Sequence, residues 1–217
     1  MGQSTYRISM DKRWDLEDLY LLPHAYSQNY AFVYCFDTTL DPRDAERIDY
    51  ALQGYPWRGG YSYVNIYTVL KHQVPSKERP KIAAIQYASP GWIDLALNPD
   101  VAMQIAKSVG IYLCASVGAG STYRKINSIL AKINEERARA RNAQLKLARA
   151  EAIELAKLTQ ELAKSWDFNS VNQLTHRTGD AEVATRLLMA HYRRMKILGD
   201  YVLKGKARFP ENLRDDG

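Results

Sequence analysis

The 217-residue chain has only two cysteines, too few for a disulfide framework, and its four histidines have no Cys, His or Asp at ligand spacing. Cys35 and Cys114 both sit among apolar neighbours, Val33-Tyr34-Cys35-Phe36 and Tyr112-Leu113-Cys114-Ala115. That setting fits small buried hydrophobes in a reducing compartment. His24, His72, His176 and His191 are scattered, so no metal site is expected. Asp180 and Glu182 follow His176, but acidic residues there equally mark a helix start. The sequence contains no nucleophile elbow, paired-carboxylate motif, dinucleotide fingerprint or Gly-x-x-x-x-Gly-Lys-Ser/Thr loop. Hydrolytic and redox chemistry therefore have no residue to rest on, and a non-catalytic protein without cofactor is expected. Residues 1–18 lack the apolar core of a secretory leader, which makes the cytoplasm the expected location.

A hydrophobic fraction of 46% and a charged fraction of 25% are those of an ordinary globular chain. The length suits one large domain, or one domain with an extension. Thirty Lys+Arg against 24 Asp+Glu leave +6, an excess compatible with an anionic partner but not diagnostic of one. Fifteen tyrosines against four phenylalanines favour surfaces where a ring is half-buried and its hydroxyl stays wet.

Leu16, Leu19, Tyr20, Tyr26, Tyr30, Val33 and Tyr34 recur at helical spacing and predict a helix over 15–36, with Pro23 kinking or splitting it. Asp41-Pro42 opens a short helix that Gly54 closes. Beyond Gly59-Gly60 the period changes to two. Residues 61–74 are expected as a strand, paired antiparallel with a second strand over 82–97 that bends at Ser89-Pro90-Gly91. Asn98-Pro99-Asp100 starts an apolar helix over 101–117, which Gly118-Ala119-Gly120 is expected to stop. Gln104, Lys107 and Ser108 near its middle argue against a membrane span and for a core helix. Two further helices, about 169–177 and after Asp180, flank Thr178-Gly179-Asp180, and 204–217 reads as a fraying basic-to-acidic tail.

Residues 121–166 contain neither Pro nor Gly and predict one continuous helix. It would be about 67 Å long at ~1.5 Å per residue, too long for a globule of this size to cover. Its stripe Leu145, Ala148, Ala152, Leu155, Leu162 and Trp166 is therefore expected to be an interface between copies. A basic run on the same helix, with Lys132, Arg137, Arg139 and Arg141, and the later Arg193 and Arg194, offers the alternative of sequence-blind nucleic-acid binding. Residues 171–188 have the outline of a helix-turn-helix, except that Thr185 stands where an apolar residue is usual.

The expected architecture is mostly helical α+β: a strand hairpin on helices over 1–120, and the long helix with C-terminal helices over 121–217. The segment Ile85-Gln86-Tyr87-Ala88-Ser89-Pro90-Gly91-Trp92-Ile93-Asp94-Leu95, followed by an apolar and then a long charged helix, resembles poorly characterised bacterial accessory or effector-associated proteins encoded near anti-phage defence genes. That resemblance spans roughly 81–165 and carries no catalytic residues. It implies a self-associating or partner-binding accessory protein, the partner being another copy or a product of the same operon. Nucleic acid is the alternative partner; a membrane is not expected as one, and a membrane-active effector using residues 101–117 stands as the third reading.

Overall fold

The computed structural model describes residues 5–36, 40–57, 59–142 and 145–211. Its elements run β1 (Thr5–Met10), α1 (Leu16–Phe36), α2 (Pro42–Gln53), α3 (Gly59–Gln73), β2 (Lys81–Gln86), β3 (Gly91–Ala96), α4 (Pro99–Arg139), α5 (Arg149–Lys164), α6 (Val171–Thr178), α7 (Ala181–Leu203) and β4 (Ala207–Arg208). This is the mostly helical α+β class that the sequence predicts.

The sheet is antiparallel, in the order β2-β3-β1-β4. Its inner face is set by alternation: Tyr6, Ile8 and Met10 of β1 lie opposite Leu95, Ile93 and Gly91 of β3, and all six are buried. The helical layer packs on that face, with the Tyr26 ring of α1 stacked between Tyr6 and Phe209. On the outer face Arg7 forks onto both carboxylate oxygens of Asp94 at 2.5 Å and lies over the Trp92 ring.

Several punctuation residues act as expected. Asp41 and Asn98 cap α2 and α4 with proline in the first turn, and Asp180 caps α7 by accepting from the amides of Glu182 and Val183. Gly179 ends α6 at φ +72°, a left-handed conformation that glycine adopts without strain. Pro23 lies within α1 without splitting it.

Four expectations are overturned. Residues 59–73 form α3, not a strand. Tyr63, Ile66, Tyr67, Leu70 and Val74 are buried, and their steps of three, one, three and four are a helical stripe hidden by abundant tyrosine and β-branched residues. The expected second strand is itself the hairpin: β2 and β3 join through 87–90, which includes a cis Ser89–Pro90 bond. At its end, a Cβ on Gly91 would fall 2.4 Å from the Gln86 carbonyl oxygen, so only glycine fits there. Third, α4 runs through Gly118-Ala119-Gly120, with Ala119 buried. Glycine weakens a helix by about 1 kcal/mol, which packing on both sides outweighs, so the expected division at residue 120 falls inside a helix. Finally, the helix expected over 121–166 breaks at 140–148. Arg141 takes φ +49° and Arg137 Nε donates to the Leu145 carbonyl, and α5 folds back against α4 and α7. Tertiary burial of α5 overrides the uniform helix propensity of the connection. The strand β1 had no counterpart among the expected elements. Of the expected tail, β4 pairs with β1 at Ser9 and Met10, while 212–217 lie outside the described residues.

Candidate protein-binding edge

The expected interface stripe is mostly inside the chain. Leu155, Leu162 and Trp166 are 3%, 0% and 2% exposed; Leu145 is half-buried, and Ala148 and Ala152 face solvent. Once α5 folds back, α4 and α7 cover the leucines that a straight helix would have left bare. The stripe is therefore not one exposed apolar face, since its largest side chains pack within the chain.

The six basic residues are likewise not one surface. Lys132 pairs with Glu151 and Arg139 with Glu135. Arg137 forks onto Glu182, which also holds Arg186 and ties α4 to α7. These two guanidinium groups outweigh the burial of Glu182 and keep its carboxyl below the usual range. Arg194 is buried with its guanidinium 3.6 Å from the Tyr67 ring centre, donating to Gln28 and the Ala190 carbonyl. Arg193 and Arg141 are exposed, and Arg193 donates to the Tyr123 hydroxyl. Most of these charges already serve the fold. Of the apolar helix, Val101, Ile105, Val109 and Tyr112 belong to the core. α4 nevertheless contains a stretch long and apolar enough to cross a membrane. No cluster of His, Cys, Asp or Glu able to hold a metal occurs among the described residues.

The exposed feature that stands out is β2. All six of its residues are exposed, and it is the sheet's edge, so one side of its backbone has no ladder partner among the described residues. Its register against β3 slips by one residue between Ile82 and Ala84. The slip puts Ala83 in a bulge and turns both Ile82, opposite Leu95, and Ile85, opposite Ile93, to the inner face. There the helical layer stops short: Ile82 is 57% and Ile85 50% exposed, and Tyr87 beyond them 60%. A groove of about 180 Å³ opens between the strand and α1, lined by Leu22, Pro23 and Tyr26 on one side and Pro80, Ile82 and Leu95 on the other. No charged side chain lines it among the described residues. The Tyr26 hydroxyl has no hydrogen-bond partner among the described residues, and burial raises its pKa well above the ordinary value, so it stays protonated as a neutral donor.

Elsewhere on α1, which supplies Pro23 and Ser27 to the groove, Leu16 is 86% and Tyr20 63% exposed, and the Tyr20 ring stacks on His24. Ile82, Ile85 and Tyr87 are the large exposed hydrophobics of the rim itself. Natural edges are usually short, charged or covered; this one carries only Lys81 in Pro80-Lys-Ile-Ala-Ala-Ile-Gln-Tyr87.

No family model, curated protein or solved structure matches the chain.

None of the rim residues was among the interface or binding residues expected from the sequence, although Ile85 and Tyr87 lie in the segment that carries the resemblance. The available signal was the run Ile82-Ala83-Ala84-Ile85, which lacks the alternation of a strand with one wet face. Whether such a run is a central strand or an open edge depends on its neighbours.

Proposed function

We propose that this chain is a non-catalytic accessory protein that binds a polypeptide by adding a strand to the edge of β2. The observation that carries this is the coincidence of an unpaired backbone ladder with an apolar groove beside it. The two together are the recognition pattern of strand addition, in which main-chain hydrogen bonds give affinity and side-chain pockets give selectivity. The defence-linked resemblance of the Tyr87–Gly91 segment is consistent with such a role and adds the expectation of a partner from the same operon or a further copy of the chain. The basic helices give weaker support to nucleic-acid binding, because their charges are largely spent on internal carboxylates and on Tyr67.

The test is a photo-crosslinking amino acid placed at Tyr87 in the full chain, produced in cells with its neighbouring genes. The same amino acid at Tyr50, an exposed tyrosine of α2, serves as the control. A polypeptide adduct from position 87 and none from position 50 is expected. No adduct at 87, or equal adducts at both positions, removes the proposal.

A further inference from the structure

We infer that the strand occupying the edge is β2 of a second copy, antiparallel across a two-fold axis normal to the sheet, with Ile82 opposite the partner copy's Ile85. This rests on β2 being a binding edge, and it names the occupant from the edge's own chemistry.

Knob and hole sit at opposite ends of the same strand. The groove lies at the Pro80–Ile82 end, and Tyr87, the largest exposed side chain of the segment, stands at the other. Antiparallel self-pairing brings the end of one strand to the start of its partner, so each Tyr87 arrives beside the other copy's Pro80 and groove. The register that does this also sets Lys81 opposite Gln86, Ile82 opposite Ile85 and Ala83 opposite Ala84.

Every one of these pairs is favourable or neutral. The bulge at Ala83 has turned both isoleucines inward, so each meets an isoleucine on the same face. A register shifted by one residue would set Ile82 against the outward-facing Gln86. Lys81 is the only charge between Pro80 and Tyr87. In this register the two lysines are about 17 Å apart at ~3.3 Å per residue, so like charges do not oppose pairing. Pairing covers Ile82, Ile85, Tyr87 and the exposed backbone of β2 in both copies, the centre of a contact to be compared with the roughly 800 Å² per partner of a standard interface.

Light scattering coupled to gel filtration reads the mass of the full wild-type chain at tens of micromolar. Twice 24.8 kDa is expected, and a monomer overturns the inference. Two charge variants then test the register. Ile85→Glu and Ile82→Lys, at positions half-exposed in the single chain, should each fold with an unchanged far-ultraviolet spectrum and weaken association by about tenfold or more. Mixed in equal amounts they should associate again, because one copy's Glu then meets the other's Lys while the second Ile82–Ile85 pair stays intact. Wild-type dimers with variants that still associate alone, or with a mixture that stays monomeric, overturn the register. Should either variant misfold, Tyr87→Ala supplies the same decision: association unchanged by losing the knob overturns the inference. A monomeric wild type that still crosslinks from position 87 to a different polypeptide removes the second copy and leaves strand addition standing.

Discussion

His191 is buried in the core between aromatic rings. Its ring stacks on Phe32 at 3.8 Å and meets the Trp166 ring edge-on at 5.5 Å, and neither ring nitrogen has a hydrogen-bond partner among the described residues. Burial, aided by the nearby Arg194 cation, lowers its pKa from 6.5 to about 3. Between those values the unfolded chain binds a proton that the folded chain refuses, so acid costs stability. The effect is absent above pH 6.5, grows by about 1.4 kcal/mol per pH unit below it, and levels off near pH 3. Urea unfolding of wild type and His191→Leu between pH 7 and pH 4 checks this. The variant is expected to lose less stability on acidification, and parallel pH curves would contradict the assignment. His191 was visible in the sequence only as one of four scattered histidines; what isolates it, the closure of Phe32 and Trp166 over it, is a tertiary fact.

Helix α4 offers an internal comparison with α7, because two glycines sit in very different surroundings. Gly118 is exposed, with nothing near where a Cβ would stand, whereas a Cβ on Gly199 of α7 would come within 2.6 Å of the Tyr112 ring of α4. Gly118→Ala is expected to stabilise the fold by roughly 0.5–1 kcal/mol. Gly199→Ala should destabilise it by about 1–3 kcal/mol through overpacking. Thermal melts of the two variants report both signs, and a destabilised Gly118→Ala would show that α4 needs the glycine for something other than its helix. The same helices show how far local signals reach. Caps at Asp41, Asn98 and Asp180 and the glycine stop at 179 were legible because each acts within four residues. The helical identity of α3 was missed because Tyr63, Ile66, Tyr67 and Leu70 fit two periods, and only packing chooses between them. The break after Arg139 was illegible for the opposite reason. Residues 140–148 hold no Pro or Gly, and what bends them is the gain from burying Leu155, Leu158 and Leu162 several turns later. The candidate edge was the least accessible, since its exposure depends on which strand ends up outermost.

At the scale of the whole molecule, one core joins residues from both sides of position 120, from Tyr6 and Ile93 in the sheet to Leu162 and Leu198 in the C-terminal helices. A single cooperative calorimetric transition is therefore expected. Two well-separated transitions would mean that the segments before and after residue 120 are independent units. The sheet at the margin of this core is asymmetric. Its two borders are β2, six residues long, and β4, only two. A sheet open along both borders can recruit copies without limit, the route to fibres. Here β4 is only two residues long and pairs only with Ser9 and Met10, so if β2 pairs as proposed, growth of the sheet is expected to stop at one added strand rather than continue into a fibre.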